Sequence, residues 1–432
     1  MTDLTAVLIL GVSFVVLLLL RFPISITLAG STLITLIYLG LPWVVVGQRM
    51  IQGINSFPLL AIPFFILAGQ IMSAGGMAMR LVNLAQLFVG AVRGGLALVN
   101  CVACMFFGNI SGSAAADVSS IGSVLIPAMK KNKYDADYAV AVTTSASIQG
   151  VIFPPSHNLV LFSVAAGGVS VSSLFLGGIV PGLLLMFTLM IISYVIAVKR
   201  NYPKGEPVTW SQVPKIIRDG FLSLMTGVII LGGIASGWFT ATEAGAIACV
   251  YAFVLTFFVY RDVPLRQVGL VFKRTFRTVA MVLFLIAASD AFGWILAYLQ
   301  VPSLLTDLFL GISDNPYIIL FMMNLLLLLI GFPMDMAPMI LIMTPILLPV
   351  ATALGIDPVH FGIIMILNCG IGLITPPVGT VLFIGCALGK VPVSQATKAS
   401  WPFFFAMCVA LLLVTYIPQL SLWLPHMVSG AP

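Results

Sequence analysis

The sequence predicts an all-α polytopic membrane protein built as two inverted-topology repeats, each with a re-entrant helical hairpin and a broken helix. Three observations predict it. Of 432 residues, 61% are hydrophobic and 7% charged, with a mean hydropathy of +1.17. A soluble domain carries roughly 25% charged residues to face water. Four polar, Gly- and Pro-rich segments interrupt otherwise apolar stretches, and they recur as two copies with one spacing.

The length holds about ten spans of ~20 residues joined by short loops, and no soluble domain separates the apolar runs. The first run, Leu4 to Leu20, has no basic flank before it and no small-residue cleavage site after it, so it reads as a retained span rather than a signal peptide. Of the six cysteines, Cys101 and Cys104 form a Cys-x-x-Cys on an apolar helix with no nearby His or acid. They read as small helix-packing residues rather than a metal or redox pair.

A net charge of +6 could suggest nucleic acid, but the positions of the charges argue otherwise. Basic residues gather at Lys130, Lys131 and Lys133, from Lys199 to Arg218, from Arg261 to Arg277, and at Lys390 and Lys398. Short loops rich in Lys and Arg stay cytoplasmic. With those loops held inside, the first span runs inward to Arg21, the second covers about Ile24 to Leu41, and the third, about Phe57 to Ser73, returns inside to Arg80. Every Lys and Arg is then cytoplasmic except Arg49.

Spans that are apolar all round give little periodicity to read, so the interruptions carry the information. They are Gly108 to Asp117, Gly150 to Asn158, Gly331 to Pro338 and Gly372 to Thr380. Consecutive prolines at Pro154-Pro155 and Pro376-Pro377 remove two backbone donors and drive the preceding residue out of the helical region. Broken backbone at membrane depth survives only where protein buries it or it lines a cavity.

A shift of 222 aligns Leu125 with Leu347, Pro127 with Pro349, Asp135 with Asp357, Gly150 with Gly372, and Pro154-Pro155 with Pro376-Pro377, and it sets Asp335 opposite Ser113. The halves are expected at 1–219 and 220–432. The first has a hairpin at about 97–129 and a broken helix at about 136–166; the second has them at about 317–354 and 358–389. The loop after the first hairpin holds three lysines, whereas its counterpart, Ala353 to Pro358, has no basic residue. The two loops therefore lie on opposite sides, and the repeats are inverted. Paired discontinuous elements in inverted halves point to a transporter's substrate and ion site.

Carbonyls exposed at half-helix C-termini suit a hard cation such as sodium, and half-helix N-termini suit an anion. Hydroxyls at Ser111, Ser113, Ser156, Thr375 and Thr380 add to them. An acid at a re-entrant tip is costly unless it is paired or coordinates an ion, so Asp335 reads as a cation ligand, with helix N-capping as the alternative. Asp117 is readable as a cap or as a partner within the hairpin. Asp290 and Glu243 fall near apolar runs, where an interface is open to them. With no Lys or Arg mapping to the membrane interior, an anionic substrate must be met by helix N-termini, hydroxyls, amides such as Asn158, or sodium itself.

The runs Ser111-Gly-Ser-Ala-Ala-Ala-Asp117, Ile121-Gly-Ser-Val-Leu-Ile-Pro127, Pro154-Pro-Ser156 and Thr375-Pro-Pro377 resemble the large membrane subunit of TRAP (tripartite ATP-independent periplasmic) transporters over essentially the whole chain. The resemblance implies a bacterial inner membrane, sodium-driven uptake of organic anions and an elevator-type fold that carries the site across a fixed scaffold. It also implies two partners, a small four-helix membrane subunit and a periplasmic substrate-binding protein. The Pro-Pro-Ser-His-Asn form resembles sialic-acid and sugar-acid members more than C4-dicarboxylate ones. The chain opens at the large subunit's first span, so the small subunit is expected to be a separate protein. Around sodium, the expected residues are Ser111, Ser113, Gly150, Pro154, Asp335, Gly372, Thr375 and Thr380. Around the organic anion they are Gly112, Ser156, His157, Asn158, Pro377 and Gly379, with a packed polar residue as the alternative reading of His157. No cofactor beyond sodium ions is expected, and the lipid bilayer, not nucleic acid, is the surrounding partner.

The alternatives are a related carrier working alone, such as a sodium/dicarboxylate symporter or an ion antiporter; a channel; and a membrane-embedded enzyme. The enzyme reading is weakened because no nucleophile is paired with a base and the three histidines are widely spread.

Overall fold

A computed structural model describes residues 3–205, 208–313, 315–332, 334–376 and 379–429, and among them every regular element is a helix. The chain opens with α1 (Leu4–Leu19), α2 (Ile24–Tyr38), α3 (Val44–Ile54), α4 (Ala61–Ala74) and α5 (Met77–Val89). A hairpin follows, made of α6 (Gly95–Ser111) and α7 (Ala114–Lys131), and then a helix broken into α8 (Ala136–Ser147), α9 (Gln149–Ile152) and α10 (His157–Ala165). The long α11 (Val171–Lys199) precedes α12 (Val213–Ala235), α13 (Ala241–Val254), α14 (Val268–Tyr298) and α15 (Val301–Ile312). The second hairpin is α16 (Pro316–Gly331) and α17 (Met336–Ala353), and the second interrupted helix is α18 (Pro358–Gly372) and α19 (Thr380–Gly389). The described chain ends with α20 (Val393–Tyr416) and α21 (Gln419–Ser429).

Seven of the described helical stretches are long and apolar enough to cross a membrane. The outer helices carry large apolar side chains on the surface, such as Leu19, Ile191, Phe276 and Phe405. Lipid covers such side chains at no hydrophobic cost, whereas contiguous apolar patches of this kind are rare on soluble monomers. In lipid every backbone group must be bonded within the protein, which is why the chain is helical throughout.

Helix starts recur at an interval of 222 residues: Ala114 and Met336, Ala136 and Pro358, Val171 and Val393. Packing repeats with them. The outgoing half α10 packs on α17, and α19 packs on α7, so each broken helix leans on the opposite hairpin. The two broken helices meet where a Cβ on Gly370 would stand 2.8 Å from Ile148 Cγ2, a contact between residues one interval apart. Separately, α1 packs on α2, α3 on α14, and α13 on α4.

At the loop between α7 and α8, the Tyr202 hydroxyl donates to Asp135 Oδ2 at 2.6 Å, and the Arg200 guanidinium donates to the same oxygen at 2.8 Å. The Tyr202 ring packs in turn against Tyr134 and Tyr138, tilted to both. The Tyr202 hydrogen bond, helped by Arg200, holds the Asp135 carboxyl below the usual aspartate range. A depressed folded pKa gives stability that is present above the unfolded value near ~4 and is lost as pH falls through the folded value. Asp135→Asn is therefore expected to remove the part of the acid-side loss of stability that titrates below about pH 4. At neutral pH it should cost less than about 1 kcal/mol, because the carboxylate is 56% exposed and solvent screens it. Melting temperatures of both forms from pH 3 to 7 check this; parallel curves would refute it.

Candidate functional site

The first hairpin turns at Gly112, whose φ of 59° is left-handed and suits a residue without a Cβ. Its N–H donates back to the Gly108 carbonyl at 2.9 Å and closes α6. Ser113 then caps α7, accepting from Ala116 N–H at 3.4 Å. Ser111 Oγ accepts from Ser113 N–H at 3.2 Å and donates to Asp117 Oδ1. The tip is therefore a compact set of hydroxyls and carbonyls held by its own hydrogen bonds.

The first break follows from its prolines. Phe153, ahead of Pro154, is extended at φ −73° and ψ 125°, as the pre-proline clash requires. Ser156 reopens the helix as N-cap of α10 by accepting from Asn158 N–H at 3.3 Å. Asn158 reaches across to the hairpin, its side-chain amide donating to the Gly112 carbonyl at 3.1 Å. A Cβ on Gly112 would stand 3.2 Å from His157 Nδ1 and 3.3 Å from Ser156 Cα. Tip and break are thus in direct contact, and Ser111, Gly112, Ser113, Ser156, His157 and Asn158 come together. Pro154 is buried in the break itself.

Gly150 sits one turn away, where α9 crosses α6. A Cβ there would overlap the Asp117 carboxyl and stand 3.0 Å from Gly108 Cα. Asp117 is fully buried, and its Oδ2 has no hydrogen-bond partner among the described residues. Buried polar atoms are normally satisfied, so an orphaned carboxylate oxygen at this joint is the most unusual polar group of the site. The sequence left Asp117 open between a cap and a hairpin partner. It is the partner, because Ser111 bonds it and Ser113 does the capping.

The second half repeats the close approach. A Cβ on Gly372 would stand 2.9 Å from the Gly331 carbonyl oxygen, so Gly331 and Gly372 meet as Gly108 and Gly150 do. Thr375 Oγ1 donates to the Ile371 carbonyl at 2.8 Å, and Gly379 N–H to the Thr375 carbonyl at 3.1 Å. Thr380 opens α19. Pro377 lies outside the described residues. Asp335 occupies the N-cap position of α17, but its side chain accepts no capping hydrogen bond and is exposed. Glu243, by contrast, completes a capping box: Thr240 is the N-cap of α13, and the Glu243 carboxylate accepts from its N–H at 2.8 Å.

Reading from spans alone overlooked one place. Arg49 of α3 is half-buried on the wall of a cavity of about 250 Å³, with Ser289, Asp290 and Trp294 of α14 and Leu341 and Pro345 of α17. The helix α3, 11 residues with Gln48, Arg49 and Gln52 in it, is too short and polar to be a span, and nothing in its sequence states that it packs along α14. The only signal was that Arg49 is the one Lys or Arg that the positive-inside threading does not put on the cytoplasmic side.

Comparison with known proteins places this geometry in a family. The model of the tripartite ATP-independent periplasmic transporter DctM component matches residues 11–420. The chain is 41% identical over 384 residues to the sialic acid TRAP transporter large permease protein SiaM of Vibrio cholerae, covering 89% of this chain and 90% of that one. It is 37% identical over 440 residues to the C4-dicarboxylate TRAP transporter large permease protein DctM of Rhodobacter capsulatus, covering 98% and 100%. Among solved structures, the Alcanivorax borkumensis YdaH transporter superposes with a TM-score of 0.62 at 15% identity over 89% of this chain and 88% of that one, a likeness of fold alone. The chain belongs to the DctM-component family of TRAP transporters, large permeases of the inner membrane that cross it many times and are not enzymes.

Proposed function

We propose that this permease imports a small organic anion by sodium-coupled, binding-protein-dependent secondary transport, with a small four-helix membrane subunit and a periplasmic substrate-binding protein as partners. The two halves act as inverted repeats, 1–219 and 220–432, and the hairpins and broken helices move together across the remaining helices as an elevator. The 222-residue interval of helix starts supports this reading, as does the Ile148–Gly370 contact, which a two-fold axis between halves would create. A sugar acid such as sialic acid is favoured over a C4-dicarboxylate by the Pro154-Pro155-Ser156-His157-Asn158 break.

The observation that carries the proposal is the hairpin tip locked against the break. Breaks in discontinuous helices expose carbonyls for cations and N-termini for anions at one place. Ser111, Ser113, Gly150 and Pro154 supply sodium's oxygens in the first half, and Asp335, Gly372, Thr375 and Thr380 in the second. Ser156, His157 and Asn158 face the anion at the start of α10, with Gly112 beside them, and Gly379 and Pro377 answer from the second break.

Asp335→Asn tests it. The side chain is exposed and caps nothing, so folding should survive. Removing a ligand charge should raise the sodium concentration for half-maximal uptake by about tenfold or more, since 1.4 kcal/mol of lost interaction is a factor of ten. Uptake into proteoliposomes with an unchanged sodium dependence would place the cation elsewhere.

A further inference from the structure

The cavity between α3, α14 and α17, with Val164 and Ala165 of α10 on its edge, is lined by none of the tip and break residues named above, and its chemistry is specific. The Arg49 guanidinium lies over the Trp294 ring, 5.1 Å from its centroid, and donates to Gln52 Oε1 at 3.3 Å. It makes no ion pair among the described residues. The aromatic face and Gln52 hold the guanidinium in place, and with no carboxylate in ion-pair contact among the described residues its remaining N–H donors are open to an anion. Behind it, Ser289 is 5% exposed and its Oγ has no partner among the described residues. A buried hydroxyl left unpaired beside a cavity is a ligand-facing group by the usual rule that buried polar atoms are satisfied.

Asp290 stands on the same wall, close against α3 because position 53 is glycine: a Cβ there would overlap the Asp290 side chain, 2.9 Å from its Cγ. A carboxylate accepts only, whereas a guanidinium donates only. The cavity lining therefore calls for a carboxylate at Arg49 and for hydroxyl or amide hydrogens at Asp290 and Ser289. A dicarboxylate that put one acid on Arg49 would hold its second in the same cavity as Asp290, where like charges repel. A polyhydroxylated monocarboxylate satisfies both demands.

We infer that this cavity is a substrate subsite in which Arg49 binds the single carboxylate of a sugar acid while Asp290 and Ser289 accept from its hydroxyls, and that it excludes dicarboxylates through Asp290. Residues of α3 and α14 form one wall and α17 of the second hairpin the other, so a ligand here touches both sides of the surface along which the hairpin would slide. The inference deepens the organic-anion reading above and rests on it.

The test uses the full chain in lipid nanodiscs and calorimetric titration with gluconate, N-acetylneuraminate and succinate. At least one sugar acid should bind the unmodified protein about tenfold or more tightly than succinate. Arg49→Gln should weaken that sugar acid by about tenfold or more, the scale of a lost charged hydrogen bond. Asp290→Asn should narrow the gap by strengthening succinate. The melting temperature without ligand shows whether each variant is folded; should Arg49→Gln not fold, Arg49→Lys, which keeps the charge and loses the planar fork, carries the same comparison. Equal binding of succinate and sugar acids, no sugar acid binding, or indifference of a folded Arg49 variant overturns the inference. Sodium-driven uptake measured beside it separates the two readings. Intact uptake with indifferent Arg49 variants sinks only this subsite, and intact binding without sodium-driven uptake sinks only the transport mechanism.

Discussion

Gly150→Ala is expected to abolish uptake and to destabilise the protein by about 1–3 kcal/mol, the usual cost of forcing atoms into a packed interior. The added methyl would overlap the Asp117 carboxyl and approach Gly108 Cα at 3.0 Å. Neither neighbour can yield cheaply, since one is backbone and the other is a fully buried acid tied to Ser111. Relief would come only by moving α9 off α6, which separates the break from the tip. Gly372→Ala should act in the same direction against the Gly331 carbonyl oxygen at 2.9 Å. Gly11→Ala is the control, because nothing lies within 4 Å of its added Cβ, and alanine inside a helix is favourable by up to about 1 kcal/mol. Melting temperature in detergent and uptake into proteoliposomes are read for all three. Gly150→Ala behaving like Gly11→Ala would show that the tip and break need not touch.

That joint marks where sequence reading stopped. Pro154, Pro155 and the 222-residue interval were legible because proline and glycine act locally on the backbone, and local rules can be read residue by residue. The helix starts at Ala114 and Met336, and at Ala136 and Pro358, keep that interval. The wedge of Asp117 between Gly108 and Gly150 was not legible, because it depends on how closely two helices cross, which small residues permit but do not dictate. Asp335 was legible as an unusual acid, yet its exposure without a capping bond appears only once α17 is in place. Arg49 shows the same limit from the other side. Hydropathy assigned it to a loop outside the spans, and only the packing of α3 along α14 turns that loop cation into a cavity wall. Sequence patterns set element type and order here; the distances between elements set the site.

Replacing Pro154 and Pro155 together by alanine should abolish uptake while leaving the melting temperature unchanged or raised. Proline inside a helix costs about 3 kcal/mol through its missing N–H and its clash with the preceding turn. With alanines, α9 is free to run on into α10, and Phe153 no longer needs its extended conformation. The carbonyls that the break exposes would then be taken up by helical hydrogen bonds. Ser156 would lose its capping geometry, and Asn158 would rotate away from the Gly112 carbonyl it now holds at 3.1 Å. The tip would lose its anchor and the site its oxygens in one change. Alanines at Pro376 and Pro377 should do the same to the second half, where the Gly379 N–H donates to the Thr375 carbonyl at 3.1 Å. Separating the outcomes needs both readouts on each double variant. Loss of uptake with a lowered melting temperature would mean only that the prolines hold the fold. Retained uptake in either would mean that the breaks are packing kinks, and the cation site would have to be sought away from them.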